Sequence, residues 1–109
     1  MSASIVLSDE HQWHVRNWVF QQLYDDIRAA YPVDQILHGY LEQHEPILYD
    51  DFRGSSGDAW VARLYYAVAK GIAEGRLATN LKGGEPRLVY AEALGELVGL
   101  LEADGRFVT

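Results

Sequence analysis

The sequence predicts an all-α protein, a compact four-helix bundle in a single domain over residues 1–109, with an ordered acidic loop after the second helix. Three observations predict it. Apolar residues recur at helical spacing in four windows. The breakers between those windows fall at three places, around Pro32, along Gly54–Gly57 and along Thr79–Gly84. A chain of 109 residues that is 49% hydrophobic and 23% charged has the size and composition of one globular core.

The first helix should open after Ile5, Val6 and Leu7, capped by Ser8 or Asp9, with Gln12 three residues after Asp9 in capping-box spacing. A helical wheel puts Trp13, Phe20, Leu23, Tyr24, Ile27 and Tyr31 on one side. Pro32 pushes Tyr31 out of the helical region, which ends the helix near Ala30. Pro32 then opens a second helix, with Asp34 in its first turn and Val33, Ile36, Leu37, Tyr40, Leu41 and His44 as its apolar stripe. It should stop before Pro46, and Ile47–Phe52 reads as an ordered loop, either one turn or a short extended piece.

A third helix should start at Ser56 or Asp58 and run to Glu74, with Gly75 as its left-handed terminator. Its stripe is Val61, Leu64, Tyr65, Val68 and Ile72. Pro86 opens the fourth, whose stripe is Tyr90, Leu94, Leu97, Val98 and Leu101, and Gly105 closes it with Phe107 folding back. Gly71, Gly95 and Gly99 lie inside the last two helices, where they suggest close helix–helix approach, the plain alternative being glycine tolerated at solvent. Short strands at Ile5–Leu7 and Arg106–Val108 would not change the class.

Chemistry is bounded mainly by what is missing. The chain has no cysteine, which excludes disulfides, thiolate metal sites and cysteine nucleophiles. It has no phosphate-cradling glycine loop, no nucleophile elbow and no zincin motif. His11 and His14 have the best metal-like spacing, yet nothing later in the chain complements them, so no metal and no cofactor is expected. Asp25 with Asp26, and Asp50 with Asp51, are adjacent acids that point apart, so neither is a catalytic dyad by itself, and no enzyme activity is expected. Ser55 and Ser56 read as helix-capping residues rather than nucleophiles. No signal peptide or 18-residue apolar run is present, which points to a cytoplasmic protein without a membrane partner.

Charge is the informative feature. Sixteen acids and nine bases give a net charge of -7, and no lysine or arginine lies between Arg28 and Arg53. That sign disfavours nucleic acid, and Arg63, Lys70, Arg76, Lys82 and Arg87 form no basic stripe. The acidic window contains aromatic rings, and we expect a contact surface at Glu42, Glu45, Tyr49, Asp50, Asp51 and Phe52. Carboxylates would steer a basic partner and rings would anchor it. Trp18 lies off the apolar stripe of the first helix and joins the expected contact residues. The resulting expectation is a small acidic protein-binding module that neutralises a basic protein such as a nuclease toxin, by analogy of properties with immunity proteins and antitoxins. The alternatives are a helical domain with a ligand or catalytic pocket between helices, served by tyrosine hydroxyls with His38 or His44, and a homodimeric regulatory module with Trp18 on its two-fold axis.

Overall fold

In the computed structural model, described over residues 2–54, 59–81 and 83–107, the architecture is α+β. The all-α expectation is corrected by a three-stranded mixed sheet that packs with four helices. Strands β1 (Ser2–Val6) and β2 (Gln12–Arg16) precede helix α1 (Asn17–Ala30). Helix α2 (Gln35–His44) runs through a 3-10 turn (Glu45–Ile47) into strand β3 (Tyr49–Asp51). Helices α3 (Ala59–Ala73) and α4 (Glu85–Asp104) complete the order. The expected capping residues Ser55, Ser56 and Asp58, together with Lys82 and Val108, lie outside the described residues.

The first predicted helix is in fact a hairpin followed by a helix. Ser8 is a turn former: its hydroxyl accepts from the Glu10 and His11 backbone N–H groups. The chain then reverses, and β2 pairs antiparallel with β1, Trp13 opposite Ile5 and Val15 opposite Ala3. Gln12-Trp13-His14-Val15-Arg16 alternates polar and apolar, the period of a strand with one face on the core. Trp13 is fully buried and its indole N–H donates to the Ala93 carbonyl of α4 at 2.9 Å, which ties the sheet to that helix. His11 and His14 therefore share no helix face; His14 lies in β2 and its Nδ1 is 2.8 Å from the Ser4 hydroxyl.

Strand β1 is central. Its other edge pairs parallel with β3, Ile5 opposite Asp50. Residues 47–52, expected as a loop, thus supply the end of the turn and an edge strand, reached through Leu48 at φ 54. Above the sheet, α1 buries Val19, Phe20, Leu23, Tyr24, Asp26 and Ile27, and α3 and α4 pack against each other. Helix α4 meets the core through Tyr90, Leu94, Leu97 and Leu101, and Phe107 folds back beyond Gly105 to lie 5.9 Å from Phe52, ring to ring.

Helix α2 begins later than expected. Asp34 is its N-cap, accepting from the Leu37 N–H at 2.9 Å, so Pro32 and Val33 lie in the preceding turn. Only Leu37 and Leu41 of α2 are fully buried. Val33 and Ile36, placed on the core stripe by spacing, face solvent instead.

The glycines also divide. A Cβ on Gly71 would come within 2.9 Å of Leu77 Cβ, because the chain after α3 folds back and the Arg76 and Leu77 N–H groups both bond the Gly71 carbonyl. Gly95 and Gly99 meet nothing within 4 Å, so they do not mediate the helix–helix approach expected of them. Gly71→Ala should therefore destabilise by about 1–2 kcal/mol despite its gain in helix propensity. Gly95→Ala should stabilise by about 0.5–1 kcal/mol. Opposite shifts in urea midpoint check the pair.

Candidate functional site

Strand β3 turns Asp50 inward and Tyr49 and Asp51 outward. Phe52 continues the alternation and enters the core. Asp50 is completely buried and meets side chains from three helices. Its Oδ2 accepts from Tyr24 of α1 and, at 2.6 Å, from Tyr65 of α3. Its Oδ1 accepts from Tyr40 of α2 at 2.8 Å and lies 2.8 Å from His44 Nδ1. The His44 contact is not a hydrogen bond despite its short distance. The His44 and Tyr40 rings stack at 4.1 Å.

Burial pushes the Asp50 carboxyl above its ordinary value, against the pull of three phenols and His44. Burial also raises Tyr24 and Tyr65, with the Asp50 charge adding to it, so both phenols remain protonated donors. A carboxylate with its lone pairs occupied and no exposed atom does no acid–base work on a solute. It joins α1, α2, α3 and β3.

A second caged acid belongs to α1 itself, two residues after Tyr24 and on another side of the helix. Asp26, expected on the polar side with Asp25, is buried. It accepts from the Tyr90 hydroxyl at 2.7 Å, Thr79 Oγ1 at 2.5 Å, the Asn80 N–H at 2.8 Å and Gln22 Nε2 at 3.2 Å. Asp25 remains outside, 3.0 Å from Arg28.

The seven expected contact residues do not form one surface. Asp50 and Phe52 are inside, and Trp18 is half-buried against Tyr90, with ring centroids 6.5 Å apart. Glu42, Glu45, Tyr49 and Asp51 remain on the outer side of α2 and β3. Glu45 pairs with Arg28 at 2.6 Å and Asp51 with Arg53 at 2.8 Å. These pairings do not neutralise the region. Arg28 is shared by Asp25 and Glu45, and Arg53 by Asp51 and Asp9, so each arginine leaves one carboxylate charge unmatched. The Asp25 carboxyl is accordingly raised, first by partial desolvation and then by the Glu45 charge. Arg53 instead holds Asp51 below the usual carboxylate value.

Two residues that the helical wheel assigned to the core, Val33 and Ile36, and Ile47 from the expected loop add to this surface. Val33 is 89% exposed, Ile36 77% and Ile47 64%, along and just beyond α2. An aliphatic side chain left that exposed forgoes about 1.5–3 kcal/mol of burial. Single cases are ordinary, but here three fall within fifteen residues of sequence, before, on and after α2, in the stretch that also carries the unmatched carboxylates. Comparison with protein-family models, curated proteins and solved structures found no match.

Proposed function

We propose that this protein binds a basic protein partner through the outer face of α2 and its turn, with Val33, Ile36 and Ile47 as apolar anchors and Glu42, Glu45, Tyr49 and Asp51 around them. The observation that carries the reading is the exposure of those three aliphatic residues inside a stretch with no lysine or arginine between Arg28 and Arg53. Apolar anchors supply binding energy once water is excluded, and surrounding carboxylates speed encounter with a cationic surface. A partner whose cationic surface binds substrate phosphates would be inhibited by occlusion, which is the neutralising role the sequence suggests. The inter-helix pocket is the weaker reading, because the convergent Asp50, Tyr24 and Tyr65 are buried in one another's contacts.

The test is titration of the labelled protein against purified nuclease domains with pI above about 9, paired with acidic nuclease domains. Expected is a one-to-one complex with one or more basic domains that inhibits cleavage and associates more slowly as salt rises. Ile36→Ser should weaken it at least about tenfold through faster dissociation, and Glu42→Lys should slow association. Neither substitution should alter the melting temperature, since both side chains are exposed. Complexes that form equally well with both variants, or none with any basic domain, would overturn the reading.

A further inference from the structure

The chain linking α3 to α4 encloses a cavity of about 350 Å3, floored by Ile72 and Tyr90 and walled by Leu77 and Ala91. Two arginines line it, Arg76 from the link and Arg87 from the first turn of α4. Among the described residues no carboxylate lines it, in a chain that carries sixteen acids and nine bases. Glu85 shares the first turn of α4 with Arg87 but lines a separate cavity beside Trp18. Arg87 makes no ion pair among the described residues, and its position at the positive end of a 20-residue helix is unfavourable for a cation unless an anion lies near. Arg76 holds Glu74 through Nε and one terminal nitrogen, which leaves the rest of its fork available.

The wall is fixed before any ligand arrives. At one end the Arg76 and Leu77 N–H groups bond the Gly71 carbonyl at 2.8 and 2.9 Å. At the other, Thr79 and Asn80 are bonded to buried Asp26. A link pinned at both ends holds its arginine over the cavity at little further entropic cost, which favours binding. The Thr79 and Tyr90 hydroxyl protons are directed at Asp26, so the donors left to a ligand's anionic group are the guanidinium groups.

We propose that this cavity binds a small organic carboxylate, its anionic group on Arg76 and Arg87 and its apolar body against Ile72, Leu77 and Ala91. A flat or branched body of six to ten heavy atoms suits a pocket near the small end of the ligand-site range. The site lies apart from the α2 face and stands or falls independently of the protein-binding reading.

The experiment is amide-resonance titration of the whole protein with benzoate, with benzamide as neutral counterpart and inorganic phosphate as an anion lacking an apolar body. Expected is saturable displacement of the Leu77, Ala78, Thr79 and Ala91 amides by benzoate, with benzamide and phosphate each at least about tenfold weaker. Arg87→Gln and Arg76→Gln should each weaken benzoate about tenfold or more while the remaining spectrum and the melting temperature hold. Equal binding of benzamide would overturn the role of the arginines. Equal binding of phosphate would overturn the carboxylate assignment, and absence of saturable shifts would overturn the site.

Discussion

Asp50→Ala should lower the unfolding free energy by about 3–5 kcal/mol, the largest loss expected of any single substitution outside the aromatic core. The magnitude follows from what the substitution strands. Tyr24, Tyr40 and Tyr65 direct their hydroxyls at the carboxylate, and without it Tyr24 is left as an unpaired donor inside the core while Tyr65 keeps only the Tyr24 hydroxyl, 2.9 Å away. For a domain whose total stability is about 5–15 kcal/mol, that loss can unfold the chain. Asp50→Asn keeps the volume and one acceptor oxygen, and about 1–3 kcal/mol is expected from urea unfolding.

The two proteins should also differ in pH dependence. The folded Asp50 carboxyl is raised above its ordinary 3.8, so the native state holds that proton more tightly than the unfolded chain. Its contribution is fully present below the unfolded value and is lost as pH rises through the folded value. Unfolding free energy plotted from pH 3 upward should therefore fall in the parent relative to Asp50→Asn, and the gap should level off once Asp50 is ionised in the native state. Parallel curves would show that burial does not raise this carboxyl.

Asp26→Ala should have the second largest effect, about 2–4 kcal/mol, with a distinct spatial signature. Its four donors come from α1, α4 and the link between α3 and α4. Losing them frees Thr79 and Asn80, so the Asn80 amide should exchange with solvent far faster while the Phe52 amide, bonded to Val6 beside Asp50, keeps its protection relative to global unfolding. Benzoate affinity should fall too, because Thr79 and Tyr90, which line the cavity, lose the carboxylate that fixes them. Uniform loss of protection along the chain would mean that Asp26 supports the whole core and not this link.

Much of the helical architecture was legible. Pro32 ends the first helix where the steric rule places it, and Gly75 and Gly105 terminate the last two in the left-handed conformation. The hairpin was missed because Trp13 fits two periods, falling on the wheel with Phe20 and equally on the alternation of β2. Ser8 is likewise as good a cap as a turn former, and what decided between them was pairing with β1, a contact that no local pattern encodes. The contact surface failed at Asp50 and Phe52 for a related reason. A three-residue strand gives too short a pattern to register, yet once it forms, period two places both residues on one side and Tyr49 and Asp51 on the other. Val33 and Ile36 show the converse: their spacing matches a core stripe, and the sequence cannot state how far α2 rolls away from the body. Asp25 and Asp26 differ only in a rotation about α1 that packing sets.

The parallel pairing of β1 with β3 separates partners by more than forty residues, whereas β1 and β2 meet across a tight reversal. Loop-closure entropy and contact order make the near pairing early and the distant one late. Pulse-labelled refolding should accordingly show Ser4 and Phe52, whose amides bridge to Leu48 and Val6, gaining protection after the Trp13 side of the sheet. A nascent chain released before residue 52 would carry a two-stranded ribbon with one bare flank, and that intermediate is where self-association would start.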